Sequence, residues 1–278
     1  MAQKMKTEST KTADAVETVA ASRDMRGVDN LLGIDWRRAW VERTYKHPVP
    51  DSAENWNQRA RDYVENSDIS SYTEDFITLL ALPASSALSA LSAPEKGTSI
   101  LDMGCGAGTL ALPFARMGHT VIAADLSSVM LEILQEAVRA EGLTGIRCVS
   151  LDFNAPWSDW EDAGIIDNCV DIAIASRSVV VDDLWGAFEK LERAARDRIV
   201  VTMPTEYSPR LPLRMGAPVD GGGTYIPAYI YAINVLLQMG RYPAMCYIDS
   251  DKTDKQGNIT PVRWAFITWN KHPKTPEV

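Results

Sequence analysis

Residues 98–203 alternate between short apolar segments and longer amphipathic ones. Five of the apolar segments have the length and the composition of buried strands: SILDM, HTVIAAD, IRCVSLD, VDIAIAS and RIVVTM. The stretches between them are typical of helices, and residues 127–140 begin with Ser127, a natural N-cap. Strands that alternate with helices pair in parallel through right-handed crossovers. The pattern predicts an α/β fold, doubly wound, with helices on both faces of a mostly parallel sheet.

The last part of the chain departs from this alternation. A long Pro/Gly-rich segment, residues 204–227, leads to a helix over residues 229–239 and then to the strands YPAMCYID and VRWAFITW. Two strands joined by a polar turn predict an antiparallel hairpin, so we expect a seven-stranded sheet that ends in one. The segment is longer than a connection requires. We interpret it as a lid whose Tyr207 and Arg210 contact a substrate.

The N-terminal part is expected to lie outside the sheet. Residues 1–30 are polar and have no apolar period, which predicts a flexible tail. Residues 31–96 carry aromatic residues at helical spacing, interrupted by the prolines of HPVPDS, and predict a helical cap that serves as a substrate lid. Residues 97–278 would then form the ligand-binding domain.

Composition and charge exclude several classes of protein. The formal net charge of −9 argues against a nucleic-acid binder, which normally carries a basic surface. The four cysteines (Cys105, Cys148, Cys169 and Cys246) form no CxxC pair, so neither a metal site nor a redox motif is expected. No apolar run reaches the ~18 residues of a membrane span, and we expect a cytoplasmic protein.

His119 follows a helix at a turn and is expected to face solvent, without a role.

The glycine-rich turn LDMGCGAGTL carries the chemistry. Asp102, Gly104, Gly106 and Gly108 lie at the end of the first strand and directly before a helix. Glycines there let a ligand approach the backbone closely, and the start of the helix offers unpaired N–H groups. Dinucleotides and S-adenosylmethionine both use such turns. The dinucleotide fingerprint G-x-G-x-x-G/A needs a small residue where Thr109 stands, so a nicotinamide oxidoreductase is disfavoured.

At these residues the chain resembles the class I S-adenosylmethionine-dependent methyltransferases, whose first motif is acidic-x-Gly-x-Gly-x-Gly. The resemblance implies a Rossmann-like fold with S-adenosyl-L-methionine as cofactor, bound in part by the turn itself. It also implies that Asp125, at the end of the second strand, accepts hydrogen bonds from the ribose hydroxyls. Leu126 and Met130 would lie near the adenine. Asp152 would take the adenine amino group, with Phe153 against the ring.

The end of the fourth strand is expected to border the transferred methyl group. Ser176 is assigned to the cofactor site. Arg177 either clamps a carboxylate or phosphate of the substrate, or the carboxylate of the cofactor, or it forms an ion pair with Asp182 or Asp183. These two aspartates are expected to cap the helix that begins near Leu184.

Two further groups are taken as candidates beside the core motif. Trp56, Arg59 and Tyr63 resemble an aromatic-x-x-Arg-Ala-x-x-Tyr segment that covers the cofactor in small-molecule members of the family. We therefore assign Arg59 to the cofactor, and the alternative is a helix that only packs on the core. Tyr225 and Tyr229 begin the last helix beside the long loop. Tyr229 is a catalytic candidate together with Arg177, and the alternative for it is core packing.

The predicted function is methyl transfer to an unidentified small-molecule acceptor by in-line displacement. The chain lacks the Asn/Asp-Pro-Pro-aromatic motif of amino-group methylation, the Pro-Cys nucleophile of cytosine methylation and the acidic pattern of metal-dependent catechol-type enzymes. In-line displacement depends on positioning, so a general base is not required. We expect no nucleic-acid or membrane partner and allow for a homodimer. Two alternatives stay open: a non-catalytic S-adenosylmethionine-binding regulatory or partner protein, and a methyltransferase that reaches protein or RNA through a recruited partner.

Overall fold

The computed structural model describes residues 33–42, 52–65, 70–81, 97–205, 207, 226–253 and 259–271. The predicted tail, Arg210 and Tyr225 lie outside these residues.

Seven strands form a single sheet within the described residues. They are β1 Ser99–Met103, β2 Thr120–Asp125, β3 Ile146–Ser150, β4 Val170–Ser176, β5 Ala195–Pro204, β6 Ala244–Thr253 and β7 Ile259–Asn270. Their order across the sheet is β3-β2-β1-β4-β5-β7-β6. The first five strands pair in parallel, whereas β7 runs antiparallel to both β5 and β6. The predicted sheet and its terminal antiparallel hairpin are confirmed.

Eight helices accompany the sheet in the described part of the chain. They are α1 Trp36–Glu42, α2 Ala53–Glu65, α3 Ser70–Ala81, α4 Ala111–Arg116, α5 Ser128–Glu141, α6 Trp157–Asp162, α7 Leu184–Ala194 and α8 Ala228–Gln238. The predicted helix at Ser127 begins as expected, because the Ser127 hydroxyl accepts a hydrogen bond from the Met130 N–H at 3.2 Å. The short helix α6 was not predicted. It follows Pro156, and no side-chain cap indicates where the helix begins.

The central strands are buried on both faces. Successive strand residues point to opposite sides, and in β4 Ile172 and Ile174 join one apolar cluster while Ala173 and Ala175 join the other. Residues of α3, α4 and α5 complete the first cluster, and residues of α1, α6, α7 and α8 complete the second. This arrangement confirms the doubly wound fold. No helix of the described residues is both long enough and apolar enough to cross a bilayer.

The sheet order places a crevice at the carboxyl end of β1. β1 pairs with β2 on one side and with β4 on the other, so the connections leave it in opposite directions. Open α/β sheets bind ligands at such a switch point. The ends of β1 and β2 bring Asp102 and Asp125 to this edge.

Helix α1 packs against α8. The Trp36 N–H donates to Gln238 Oε1 at 2.9 Å, and Trp40 Nε1 donates to the Val181 carbonyl at 3.1 Å. Both tryptophan rings meet the edge or face of Tyr231, with centroids 5.8 and 5.7 Å away. Of the three described N-terminal helices, α2 and α3 supply residues to the wall of the crevice and α1 does not.

The prediction that His119 faces solvent is wrong. Helix α4 ends at Arg116, and Gly118, with φ of 88°, turns the chain back. The His119 N–H then donates to the Phe114 carbonyl at 3.1 Å, and its ring lies buried 6.0 Å from the Phe114 ring. Burial lowers the pKa of His119. After the turn at Gly118, the His119 side chain therefore packs on Phe114 of α4 and is not exposed to solvent.

The predicted capping by Asp182 and Asp183 is also wrong. Asp183 occupies the N-cap position of α7, but its side chain makes no capping hydrogen bond. Its Oδ2 instead accepts from Arg37 of α1 at 2.7 Å. The Asp183 side chain therefore connects α7 to α1 and does not cap α7.

Candidate functional site

A cavity of about 580 Å³ occupies the crevice above β1, β2 and β4. Its walls come from the β1–α4 turn, the residues after β2, β3 and β4, and the helices α2 and α3. Most residues assigned from the sequence line it: Asp102, Gly104, Gly106, Gly108, Asp125, Leu126, Met130, Asp152, Phe153, Ser176 and Arg177. Residues far apart in the chain are thus brought to one site.

The three glycines of the turn serve two different purposes. A Cβ on Gly104 would lie 2.2 Å from the Ser178 Cβ, and one on Gly108 would lie 2.5 Å from Leu134 Cδ1. Ser178 is held there because its hydroxyl donates to the Met103 carbonyl at 2.6 Å. A Cβ on Gly106 would meet nothing within 4 Å, although φ is +55°. Gly104 and Gly108 therefore allow close packing, whereas Gly106 borders the open cavity.

Asp102 is a buried carboxyl group that lacks one partner. Its side chain is 2% exposed, and no described residue donates a hydrogen bond to Oδ2. Burial raises its pKa from 3.8 to about 7, helped by the charge of Asp125 and opposed by Arg177 and by the N–H of Ala111. Buried carboxylate oxygens normally have a hydrogen-bond donor. The missing donor points to a ligand at this position.

Asp125 organises the glycine-rich turn and lines the cavity. Its Oδ2 accepts from the Gly106 N–H and its Oδ1 from the Ser127 N–H, both at 2.8 Å. The side chain therefore connects the glycine turn to the start of α5 as well as lining the cavity.

Helix α2 forms a wall of the cavity beside the start of α5. Asn57 Oδ1 accepts from the Ser127 hydroxyl at 2.7 Å and from the Val129 N–H at 3.3 Å, which anchors α2 at the start of α5. Trp56 and Tyr63 line the cavity, with ring centroids 5.7 Å apart and nearly perpendicular planes. Arg59 is exposed, and its guanidinium stacks over the Trp56 ring at 4.6 Å, outside the cavity lining.

Helix α3 supplies lining residues that the sequence analysis missed. Thr73, Glu74 and Ile77 face the cavity. Their only sequence signal is the helical period of the segment, which does not indicate a ligand. Their role depends on where α3 packs: Phe76 meets the Phe266 ring of β7 at 5.2 Å, and Arg198 donates to the Leu80 carbonyl at 2.7 Å.

Arg177 lies at the end of β4 in a polar and aromatic cluster. Its backbone N–H donates to Thr202 Oγ1 at 2.9 Å, and its guanidinium lies 4.3 Å from the centre of the Tyr72 ring. The Tyr72 hydroxyl is hydrogen bonded to Ser176 Oγ at 2.7 Å and to Thr202 Oγ1 at 2.8 Å. Burial raises the pKa of Tyr72, so this hydroxyl stays protonated.

The ion pair considered for Arg177 does not form. Asp183 pairs with Arg37, and the Asp182 N–H donates to Asn154. No described carboxylate lies within ion-pair distance of the Arg177 guanidinium. The structure therefore leaves its positive charge facing the cavity.

Two other candidates are not brought to the cavity. Tyr229 is half-buried, its ring lies 6.2 Å from that of Tyr247, and it is not among the lining residues. Tyr207 is exposed, and the Arg263 guanidinium lies 5.8 Å from its ring. Among the described residues, no three His, Cys, Asp or Glu side chains cluster as metal ligands would.

Comparisons with known proteins agree with this geometry. A family described as methyltransferase domain matches residues 100–198. Residues 100–198 thus form a methyltransferase domain that is similar to those of the class I S-adenosylmethionine-dependent methyltransferases. A solved S-adenosylmethionine-dependent methyltransferase from Aquifex aeolicus shares the fold at a TM-score of 0.50 and 14% identity, covering 80% of this chain and 99% of that one. The cofactor of this methyltransferase domain is S-adenosylmethionine.

This chain spans only part of the length of the curated relatives that it matches. An uncharacterized protein of Haemophilus influenzae is 36% identical over 162 residues, which are 57% of this chain and 56% of that protein. A 23S rRNA (uracil(1939)-C(5))-methyltransferase, RlmD, of Marinomonas posidonica is 27% identical over 151 residues, 50% of this chain and 34% of that protein.

The residues of this methyltransferase cavity fit the cofactor. Asp102 has a buried oxygen without a donor, and a cationic amino group would supply one. The open space beside Gly106 allows a ligand to pass close to the backbone. Asp152 is exposed at the cavity wall next to the buried ring of Phe153, a pairing that suits a heteroaromatic base with an amino group.

Proposed function

We propose that this chain transfers the methyl group of S-adenosylmethionine to a small-molecule acceptor by in-line displacement. The observation that carries the proposal is the buried, partly unpartnered carboxyl of Asp102 beside the open face of Gly106 in one cavity. A glycine-rich turn with a purely structural role would need neither an unpartnered buried carboxyl oxygen nor open space beside Gly106. Both are accounted for by a ligand that brings a cationic donor to the end of β1.

Each part of the cofactor has residues that would hold it. Asp102 would accept from the amino group of its methionine part, and Asp125 from the ribose hydroxyls. Leu126, Met130 and Phe153 supply an apolar pocket for adenine, with Asp152 as acceptor for the amino group. The exposed position of Arg59 does not support our assignment of that residue to the cofactor.

The reaction requires positioning more than acid–base chemistry. The bound cofactor supplies a methyl group on a positively charged sulfur, and displacement is fast when nucleophile, carbon and sulfur are collinear. Trp56 and Tyr63 of α2, with Ile77 of α3, supply apolar side chains to the cavity wall. We assign no general base: the Tyr72 hydroxyl is held in two hydrogen bonds and keeps its proton. Catalysis would then rest on orientation of the acceptor.

A small acceptor is favoured over a nucleic acid. The net charge of −9 opposes binding to a polyanion, and four acidic residues line the cavity itself: Glu74, Asp102, Asp125 and Asp152. The Marinomonas relative acts on ribosomal RNA by its name, so RNA methylation is the alternative that an acceptor screen has to exclude. We also propose that residues 31–96 act as a cap, through α2 and α3.

Calorimetry with the purified chain tests the cofactor assignment. We expect S-adenosylmethionine to bind and NAD not to bind under the same conditions. Binding of NAD alone, or of neither ligand, would contradict the proposal. Release of S-adenosylhomocysteine in the presence of small hydroxyl, amine or thiol acceptors would exclude the non-catalytic alternative.

Asp125→Ala should weaken both the cofactor site and the fold. Removal of the carboxylate leaves the N–H groups of Gly106 and Ser127 without their acceptor and also removes the ribose acceptor. We expect a loss of cofactor affinity of about 1–3 kcal/mol, together with a lower midpoint of thermal unfolding. Calorimetry and thermal unfolding on the same sample measure the two effects. An unchanged dissociation constant would remove Asp125 from the cofactor site.

A further inference from the structure

Arg177 is an arginine of the cavity wall that has no acidic partner. Two described arginines line the cavity, Arg116 and Arg177. Arg116 is paired with Glu141 at 2.6 Å. Arg177 makes no ion pair with a described residue, and its Nε is buried without a hydrogen-bond partner among them. A guanidinium in this state offers donors to whatever enters the cavity.

The backbone of Arg177 has a strained conformation, which contacts of this residue with its neighbours hold in place. Arg177 has φ of 58°, in the left-handed region that side chains other than glycine rarely adopt. The hydrogen bond from its N–H to Thr202 and the stacking of its guanidinium over Tyr72 at 4.3 Å oppose relaxation. Tyr72 is itself fixed by Ser176 and Thr202. Strain of this kind is retained at functional sites, where the surrounding structure enforces it.

The position of Arg177 separates it from two of the residues assigned to the cofactor, although its charge interacts with that of Asp102. Its neighbours belong to β5, α3 and β7: Thr202, Tyr72, and Trp264 at 6.0 Å from the guanidinium. Asp125 and Asp152 lie at the ends of β2 and β3, on the other side of β1 in the sheet order. Arg177 therefore lies on the β4 side of the cavity, opposite the residues assigned to the ribose and the adenine.

We propose that Arg177 binds a carboxylate or phosphate group of the methyl acceptor. The inference rests on the proposed methyl transfer and specifies its acceptor class. The planar guanidinium can donate two parallel hydrogen bonds to such a group. Its stacking on Tyr72 fixes the plane in which the anion is bound, and so helps to orient the nucleophile relative to the methyl carbon.

The test uses benzoate and its neutral analogue benzamide as probes. Each is titrated into the chain saturated with S-adenosylhomocysteine, in chloride-free buffer. We expect benzoate to bind at least about tenfold more tightly than benzamide. Arg177→Gln should abolish this difference, and Arg177→Lys, which keeps the charge but not the planar fork, should retain only part of it. No preference for benzoate in the wild-type chain would overturn the inference.

Arg193→Gln is the matched control. Arg193 also stacks on an aromatic ring, 4.0 Å from the centre of Trp157, but it is paired with Asp167 and lies outside the cavity lining. This variant should keep the full preference for benzoate. A loss of the preference in both variants would show a general charge effect and contradict a specific site. Unchanged S-adenosylhomocysteine binding shows that each variant is folded.

A second comparison tests whether Arg177 binds a carboxylate of the acceptor or the carboxylate of the cofactor. S-adenosylhomocysteine has one, whereas 5′-methylthioadenosine lacks it. If Arg177 binds the acceptor, Arg177→Gln leaves the ratio of the two affinities unchanged. A selective loss of S-adenosylhomocysteine affinity would assign Arg177 to the cofactor and overturn the inference. Failure of the wild-type chain to bind either adenosine compound would instead refute the proposed function, and the inference with it.

Discussion

At pH 8 the Asp102→Asn variant should be more stable than the wild-type chain in the absence of ligand. Its folded-state pKa of about 7, against 3.8 in the unfolded chain, means that the folded state disfavours the ionised carboxyl. Stability from this group is full below pH 3.8 and is lost as the pH rises to about 7, where the loss reaches about 4 kcal/mol. Asparagine carries no charge, so we expect it to recover about 2–4 kcal/mol at pH 8 and less at pH 5. Urea unfolding at both pH values measures this difference.

The same substitution should impair cofactor binding. An ionised Asp102 is needed to accept from a cationic amino group, so wild-type affinity for S-adenosylmethionine should rise as the pH increases from 6 to 8. Asp125 and Arg177, the charged groups that face Asp102, modulate this titration. In Asp102→Asn we expect affinity to fall at least about tenfold at pH 8 and to lose its pH dependence. A stabilised variant that binds normally would show that Asp102 is buried for a structural reason.

Gly106→Val should abolish cofactor binding while leaving most of the fold intact. The new side chain would enter the open space of the cavity, since nothing lies within 4 Å of the position of its Cβ. A β-branched residue at φ of +55° is strained, which lowers stability by about 1–2 kcal/mol. We expect affinity for S-adenosylmethionine to fall by more than about a hundredfold, equivalent to ~3 kcal/mol. Calorimetry and urea unfolding separate the two effects.

Gly142→Val provides the matched control for backbone strain. Gly142 has φ of +66° and also has nothing within 4 Å of its Cβ position, but it ends α5 away from the cavity. We expect a similar loss of stability with unchanged binding. Gly104→Ala should behave in the opposite way to Gly106→Val: its Cβ would lie 2.2 Å from the Ser178 Cβ and would damage the fold itself. If Gly142→Val and Gly106→Val weaken binding equally, strain rather than obstruction of the cavity is the cause.

Features that depend on neighbouring residues in the chain were predictable. Alternating strands and helices predicted the sheet, and the spacing of the glycines with Asp102 and Asp125 predicted which residues line one cavity. Strand ends in a parallel sheet meet at one edge, so residues that follow successive strands converge whatever the details of packing. The N-cap at Ser127 is equally local, because its acceptor and donor are three residues apart.

Features that depend on long-range packing were not predictable. Asp183 stands at the N-cap position of α7, but its side chain pairs with Arg37, which lies 146 positions away in the chain. The contact of Arg177 with Tyr72 joins residues over a hundred positions apart, through a helix with no sequence signal of a ligand.

The sequence by itself determined the sheet, the cofactor edge and most of the residues that line it, because backbone hydrogen bonding and strand order follow from local patterns. Only the tertiary structure decided which carboxyl of the cavity lacks a hydrogen-bond donor and which arginine lines the cavity without an ion-pair partner. Those states depend on burial and on the distances between side chains from separate elements, and no local pattern encodes either quantity.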